Sequence, residues 1–204
     1  MSVLPIVIVV VLGYLLGSIS FALIIARARG VDILNVGSGN PGATNVKRVV
    51  GPGPGNIVFF LDCLKGFIAA GWPLILFSNF VDPPLLGVLG FLAAILGHSF
   101  SVFLKFKGGK GVAVTVGGLL ALMPFVFLIS ILVWALVFYV TRYVSFASLC
   151  LGASLPFSAV LLGYRGGLLL LALFLAIMIG IRHRSNILRL LKGTEGKFSE
   201  KSRY

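Results

Sequence analysis

Three polar segments interrupt an otherwise apolar chain, and each is built from residue types that bind anions. The first is Gly37-Ser38-Gly39-Asn40-Pro41-Gly42-Ala43-Thr44-Asn45, followed by Lys47 and Arg48. Glycines let backbone N–H groups turn toward one point, Ser, Thr and Asn add neutral hydrogen bonds, and Arg supplies a planar fork for phosphate or carboxylate. Turn chemistry alone would also make such a loop, but the density of donors favours binding. The second segment is Lys105-Phe106-Lys107-Gly108-Gly109-Lys110-Gly111, leading into Val112, Ala113, Val114 and Thr115. A glycine loop at a helix start offers N–H groups and the positive end of the helix dipole to an anion. Its spacing is not that of the nucleotide-binding G-x-x-x-x-G-K-[ST] loop. A loop that is merely basic would not need so many glycines.

The third segment runs His183-Arg184-Ser185-Asn186-Ile187-Leu188-Arg189-Leu190-Leu191-Lys192-Gly193-Thr194-Glu195. On a helix His183, Asn186 and Arg189 or Leu190 share a face, being three or four apart. Taken alone, the segment also reads as a basic amphipathic helix on anionic lipid; the other two clusters favour a site. His98, next to Ser99 at the end of an apolar run, reads as a hydrogen-bonded packing residue. Asp62 and Lys65, three apart, satisfy each other as a pair within lipid. Two histidines and five scattered acids supply no metal-ligand spacing, so no metal or other cofactor is expected. Phe103 and Leu188 stand five positions after His98 and His183, so the acyltransferase pattern H-x-x-x-x-D is missing.

The elements that must position these segments are membrane helices. Of 204 residues 59% are hydrophobic and 11% charged, and the mean hydropathy is +1.12. A soluble core of this size could not bury so much apolar surface. A helical span needs about 20 apolar residues, so the length allows about six or seven crossings. Apolar runs cover residues 3–26, 56–77, 85–104, 112–140, 144–162 and 167–181. The fourth run is long for one helix and carries Met123-Pro124 near its middle, where proline breaks the helix ladder, so two short helices turning near Pro124 are expected. Cys63 and Cys150 lie inside apolar runs and read as buried thiols rather than a disulfide.

Charge selects the topology. The 17 Lys and Arg outnumber five acids, for a formal net charge of +12. With a turn at Pro124, seven helices place every Lys and Arg except Lys65 and Arg165 on one side, as the positive-inside rule requires of the cytoplasmic face. The expectation is therefore an all-α integral membrane protein with the N-terminus outside and the C-terminus in the cytoplasm. Residues 1–195 would form one polytopic domain and residues 196–204 a mobile cytoplasmic tail. The outer turns, 78–84 and 163–166, read as plain connectors, whereas the long cytoplasmic segment 27–55 calls for ordering by a function.

Taken together, the first segment with Arg48, the glycine loop from Phe106 to Ala113, and His183-Arg184-x-Asn186-Ile187-x-Arg189-Leu190-x-x-Gly193-x-Glu195 resemble one family in order and spacing over nearly the whole chain. It is the bacterial acyl-phosphate-dependent glycerol-3-phosphate acyltransferases. Val114 stands where that family often has Thr, with Thr115 next to it. The resemblance implies transfer of a fatty acyl group from acyl phosphate to the 1-hydroxyl of glycerol 3-phosphate, giving lysophosphatidic acid and phosphate. This is the first step of phospholipid synthesis, at the cytoplasmic face of the bacterial inner membrane. The partners implied are acyl phosphate, glycerol 3-phosphate and membrane lipid, and no nucleic acid. It assigns catalytic roles to Ser38, Lys107, His183 and Asn186, substrate binding to Asn45, Arg48, Gly108, Gly109, Lys110 and Gly111, and a structural role to Glu195. Lys107 or Lys110, with the glycines, would hold the acyl-phosphate head, and the proton acceptor would be His183 or the donor's own phosphate.

Acyl phosphate is an activated mixed anhydride, so neither a covalent intermediate nor a metal is obligatory, and charged donors need only stabilise the oxyanion and the leaving phosphate. A transporter for an organic or phosphorylated anion would also be polytopic and basic. It would bind near the bilayer midplane between broken helices, whereas here the polar clusters gather at one face. A lipid-binding scaffold would not need the glycine loop.

Overall fold

The structure, a computed structural model, describes residues 3–79 and 82–198. Phe80 and Val81 of the first outer turn and residues 199–204 of the tail lie outside the described residues. The described residues form helices α1 (Leu4–Ser18), α2 (Phe21–Arg27), α3 (Ala43–Val49), α4 (Pro52–Leu76), α5 (Pro83–Ser99), α6 (Val112–Leu122), α7 (Pro124–Thr141), α8 (Val144–Leu161), α9 (Gly166–Arg182) and α10 (Arg184–Leu191). Among them the only β-pairing is an isolated bridge between Ser101 and Lys107. Four helical stretches are long and apolar enough to cross a membrane: Leu4–Arg27, Pro52–Leu76, Pro124–Thr141 and Val144–Leu161. A fifth is added when α9 and α10, bent by 60° to each other, are taken as one.

The break near Pro124 falls where proline chemistry puts it, but its two products are unequal. α6 has 11 residues, whereas α7 has 18 and is not short. Pro124 occupies the first turn of α7, where a missing N–H costs nothing. The helix then runs on through largely apolar sequence until Arg142 adopts a left-handed conformation, φ 61°.

The helices fall into two compact units, Met1–Leu122 and Met123–Tyr204. In the first, α5 packs on α1 and α4, and α6 packs on α4. Small residues allow the close approach that holds helices together in lipid. A methyl group at Gly17 would run into the Ala94 carbonyl, and one at Gly117 into that of Cys63. α1 and α2 are separated by Ile19, whose ψ of 118° leaves the helical region. The chain resumes as a helix because Ser20 caps α2, its hydroxyl accepting from the Leu23 N–H at 3.3 Å. Beneath the segment after α2, Ala22, Leu23, Ala26, Ile33, Val46 and Val58 form a buried cluster.

In the second unit α8 packs on α7 and α9, with α10 against α8 and α9. Gly193, at φ 67°, ends α10 in a Schellman turn: its N–H bonds the Leu190 carbonyl and that of Thr194 the Arg189 carbonyl. The reversal brings Glu195 back onto α10. Its Oε1 accepts from Asn186 Nδ2 and from the Ser145 hydroxyl, both at 2.6 Å, and Oε2 accepts from Arg189 Nε at 2.6 Å. Beyond it, the Phe198 N–H bonds the Arg142 carbonyl at 2.8 Å and its ring meets Phe138 edge-on.

Burial pushes the Glu195 carboxyl up, but the hydrogen bonds from Ser145, Asn186 and Arg189 and the Arg189 charge outweigh it and hold the group below the usual glutamate range. A depressed carboxyl pKa stabilises the fold above the unfolded-state value, and the contribution is lost as pH falls through the folded one. Glu195→Ala should therefore cost roughly 2 to 3 kcal/mol at neutral pH. The difference from wild type should shrink once pH drops below about 4.3. Thermal unfolding in detergent across pH checks this, and a pH-independent difference would contradict it.

Candidate functional site

Within the first unit the segment before α3 is shaped around one amide. Asn45 on α3 is 1% exposed. Its Oδ1 accepts the Ser38 N–H at 2.9 Å, and its Nδ2 donates to the carbonyls of Val36 at 3.1 Å and Ile33 at 3.3 Å. Asn45 thus ties the loop's own backbone together through both ends of its amide and sets where Ser38 stands. Ser38 itself is exposed, and Arg48 in the last turn of α3 is half-buried. Lys47 Nζ donates to Asn56 Oδ1 at 3.2 Å, tying α3 to α4.

The glycine loop follows a tight reversal. The Ser101 N–H bonds the Lys107 carbonyl at 3.1 Å and the Phe106 N–H the Ser101 carbonyl at 2.8 Å, with Lys105 and Phe106 at φ 52° and 60°. Gly108 and Gly109 then lie buried on the end of α5. The Gly109 N–H donates to the His98 carbonyl at 3.0 Å, so this N–H serves the fold. A side chain at Gly108 would overlap the His98 carbonyl, and one at Gly109 the His98 ring. Lys107 is exposed and Lys110 half-buried on either side. Gly111, at φ 83°, turns the chain into α6, whose first turn begins with the Thr115 N–H bonding the Gly111 carbonyl at 2.8 Å.

A small pocket joins the first two motifs: Pro41 and Gly108-Gly109 line it together with Ser18, Ser20 and His98. Ser38, Arg48, Lys107 and Lys110 stand outside its lining. The serines at the α1–α2 break were not singled out by sequence reasoning, although Ser18 and Ser20 are a polar pair in an apolar run and that signal was available. Ser101 reaches across to the same break, its hydroxyl donating to the Ser18 carbonyl at 2.7 Å. An apolar groove on the same unit is lined by Leu12, Leu15, Leu16, Ile19, Ile68, Trp72 and Phe103. Ile19 lines both the pocket and the groove.

In the second unit His183 closes α9 and opens α10. It is 3% exposed. Its Nδ1 lies 2.8 Å from the Ile179 carbonyl, which can only accept. Nδ1 therefore carries a proton, and when the ring is neutral Nε2 is its acceptor nitrogen. Asn186 and Arg189 do share a face of α10, and both bond Glu195. Ser145 on α8, the third donor to that carboxylate, was not anticipated.

Comparison with known proteins places this arrangement. A family profile described as glycerol-3-phosphate acyltransferase matches residues 7–193. The glycerol-3-phosphate acyltransferase of Aquifex aeolicus is 48% identical over 190 residues, covering 93% of this chain and 97% of its own. The crystal structure of PlsY (YgiH), an integral membrane glycerol 3-phosphate acyltransferase, in its glycerol 3-phosphate form superposes with a TM-score of 0.88 at 45% identity, over 95% of this chain and 96% of that one. The lysophosphatidic acid form of PlsY gives a TM-score of 0.85 at 44% identity, over 95% of each chain. With these neighbours and its long apolar helices, the chain is a multi-pass membrane protein. Its sequence and its fold agree: it belongs to the glycerol-3-phosphate acyltransferase family.

Proposed function

We propose that this chain transfers a fatty acyl group from acyl phosphate to the 1-hydroxyl of glycerol 3-phosphate, releasing lysophosphatidic acid and phosphate. The observation that carries the choice of donor is the wall at Ile19, which is common to a polar pocket beside the glycine loop and an apolar groove on the membrane helices. A ligand with a phosphate head and a fatty tail needs such a junction. The tail would lie along Leu12, Leu15 and Phe103, and the head beside Gly108 and Gly109.

In this reading the hydroxyl oxygen attacks the acyl carbon, the carbonyl oxygen takes the charge, and the carbon–oxygen bond to phosphate then breaks. Lys107 and Lys110 stabilise the oxyanion and the departing phosphate, aided by the dipole of α6. Arg48 and Ser38 hold the phosphate of the acceptor, with Asn45 acting through the loop it orders. Asn186, itself held by Glu195, orients the acceptor. The hydroxyl proton has two acceptors, His183 Nε2 and the departing phosphate. The reaction belongs at the cytoplasmic face of a bacterial inner membrane, with seven spans, N-terminus outside and C-terminus inside. The distribution of Lys and Arg supports that topology.

The deciding experiment is turnover by purified protein with palmitoyl phosphate and labelled glycerol 3-phosphate in excess EDTA. Lysophosphatidic acid should form, while palmitoyl-CoA should react near background because a thioester brings no phosphoryl group to the reacting carbon. Efficient use of palmitoyl-CoA would overturn the donor assignment. Arg48→Ala should weaken use of glycerol 3-phosphate by about 1 to 3 kcal/mol in kcat/KM, and Arg48→Lys should recover only part of it. Single cysteines at Ser38, Lys110 and Ser185, in a Cys63→Ala, Cys150→Ala background, should label only from the cytoplasmic side of sealed cells. Labelling of any of them from outside would refute the topology.

A further inference from the structure

Three ionisable side chains are buried in the first unit without a part in this chemistry: Asp62 and Lys65 on α4 and His98 on α5, exposed by 2%, 1% and 8%. Such groups are costly inside a membrane, and pairing alone would explain only two of them. Lys65 Nζ sits 2.8 Å from Asp62 Oδ1 and also donates to the Ile19 carbonyl at 2.8 Å. The same Asp62 oxygen stands 3.8 Å from His98 Nδ1. His98 in turn accepts the Gly109 N–H on its carbonyl, and the Nε2 edge of its ring occupies the space that a side chain at Gly109 would need. Ile19, His98 and Gly109 all line the small pocket.

We propose that Asp62, Lys65 and His98 form a buried positioning network for acyl transfer, in which Lys65 sets the Ile19 wall of the pocket and His98 forms the floor on which Gly108 and Gly109 lie. This rests on the acyltransferase reading above. His98 is a positioning residue that acts through the glycine loop. It follows that glycine is required at 109 by the His98 ring, not by the approach of substrate to the backbone.

The two causes separate in a double-mutant cycle on the full-length enzyme, with wild-type turnover of palmitoyl phosphate as the control. Gly109→Ala should raise the KM for a phosphate-bearing substrate roughly tenfold, because the methyl group displaces the loop from the ring. Adding His98→Ala should bring KM back to the level of His98→Ala alone. His98→Asn, which is shorter but still polar, should rescue in the same way. Losses that multiply, with no rescue by either variant, would overturn the proposal and assign Gly109 to substrate approach. Removing both charges together, Asp62→Asn with Lys65→Met, avoids a lone buried ion. It should raise KM several-fold with kcat within about twofold, and wild-type kinetics in that variant would also overturn the proposal. No turnover by the wild-type protein would instead remove the acyltransferase reading itself.

Discussion

Inside a bilayer no water satisfies a broken helix, so an interruption of the backbone must be answered by another part of the protein. The bond from Lys65 Nζ to the Ile19 carbonyl is such an answer. It allows α1 to stop and α2 to restart, which turns two serines and a wall of backbone toward the glycine loop. The cation that makes this bond needs a counter-charge, which Asp62 supplies at 2.8 Å. The order of dependence runs from backbone satisfaction to ion pair to pocket wall.

The second unit meets a related demand with a carboxylate. α10 is short and bends away from α9, so the intrinsic stability of a single two-turn helix cannot hold it. Glu195 gathers Ser145 from α8 with Asn186 and Arg189 from α10, and the Schellman turn at Gly193 is what allows the chain to reach back. Two residues of the third motif, Asn186 and Arg189, are thus held by one carboxylate placed just beyond them.

The polar atoms of the first two motifs divide between inward and outward tasks. Asn45, Gly108 and Gly109 face their own fold, through an amide that ties the Ser38 loop and through glycines that fit against His98. Ser38 and Lys107 are left at the surface, and Arg48 and Lys110 are half-buried. A phosphate-handling surface needs both kinds, since flexible cations localise charge poorly unless the backbone between them is rigid.

Residue type and spacing determined that the chain lies in a membrane and that its polar, glycine-bearing segments are three, and the resemblance of those segments pointed to an acyltransferase family. These properties are local or additive: hydropathy sums along a run, charge sums over loops, and a motif is a short string. The break at Pro124 was legible for the same reason, because proline acts on its own helix. The end of α7 near Arg142 was legible as well, but the expectation of two short helices was not met, because Pro124 starts α7 early enough to leave it 18 residues. Nor could spacing reveal that Asn45 points into its loop, that Ser18 and Ser20 face the glycine loop, or that Lys65 reaches Ile19 while His98 underlies Gly109. Those contacts join residues far apart in the chain. They exist only once α1, α4, α5 and α6 have closed on their small residues, so tertiary packing alone decided them.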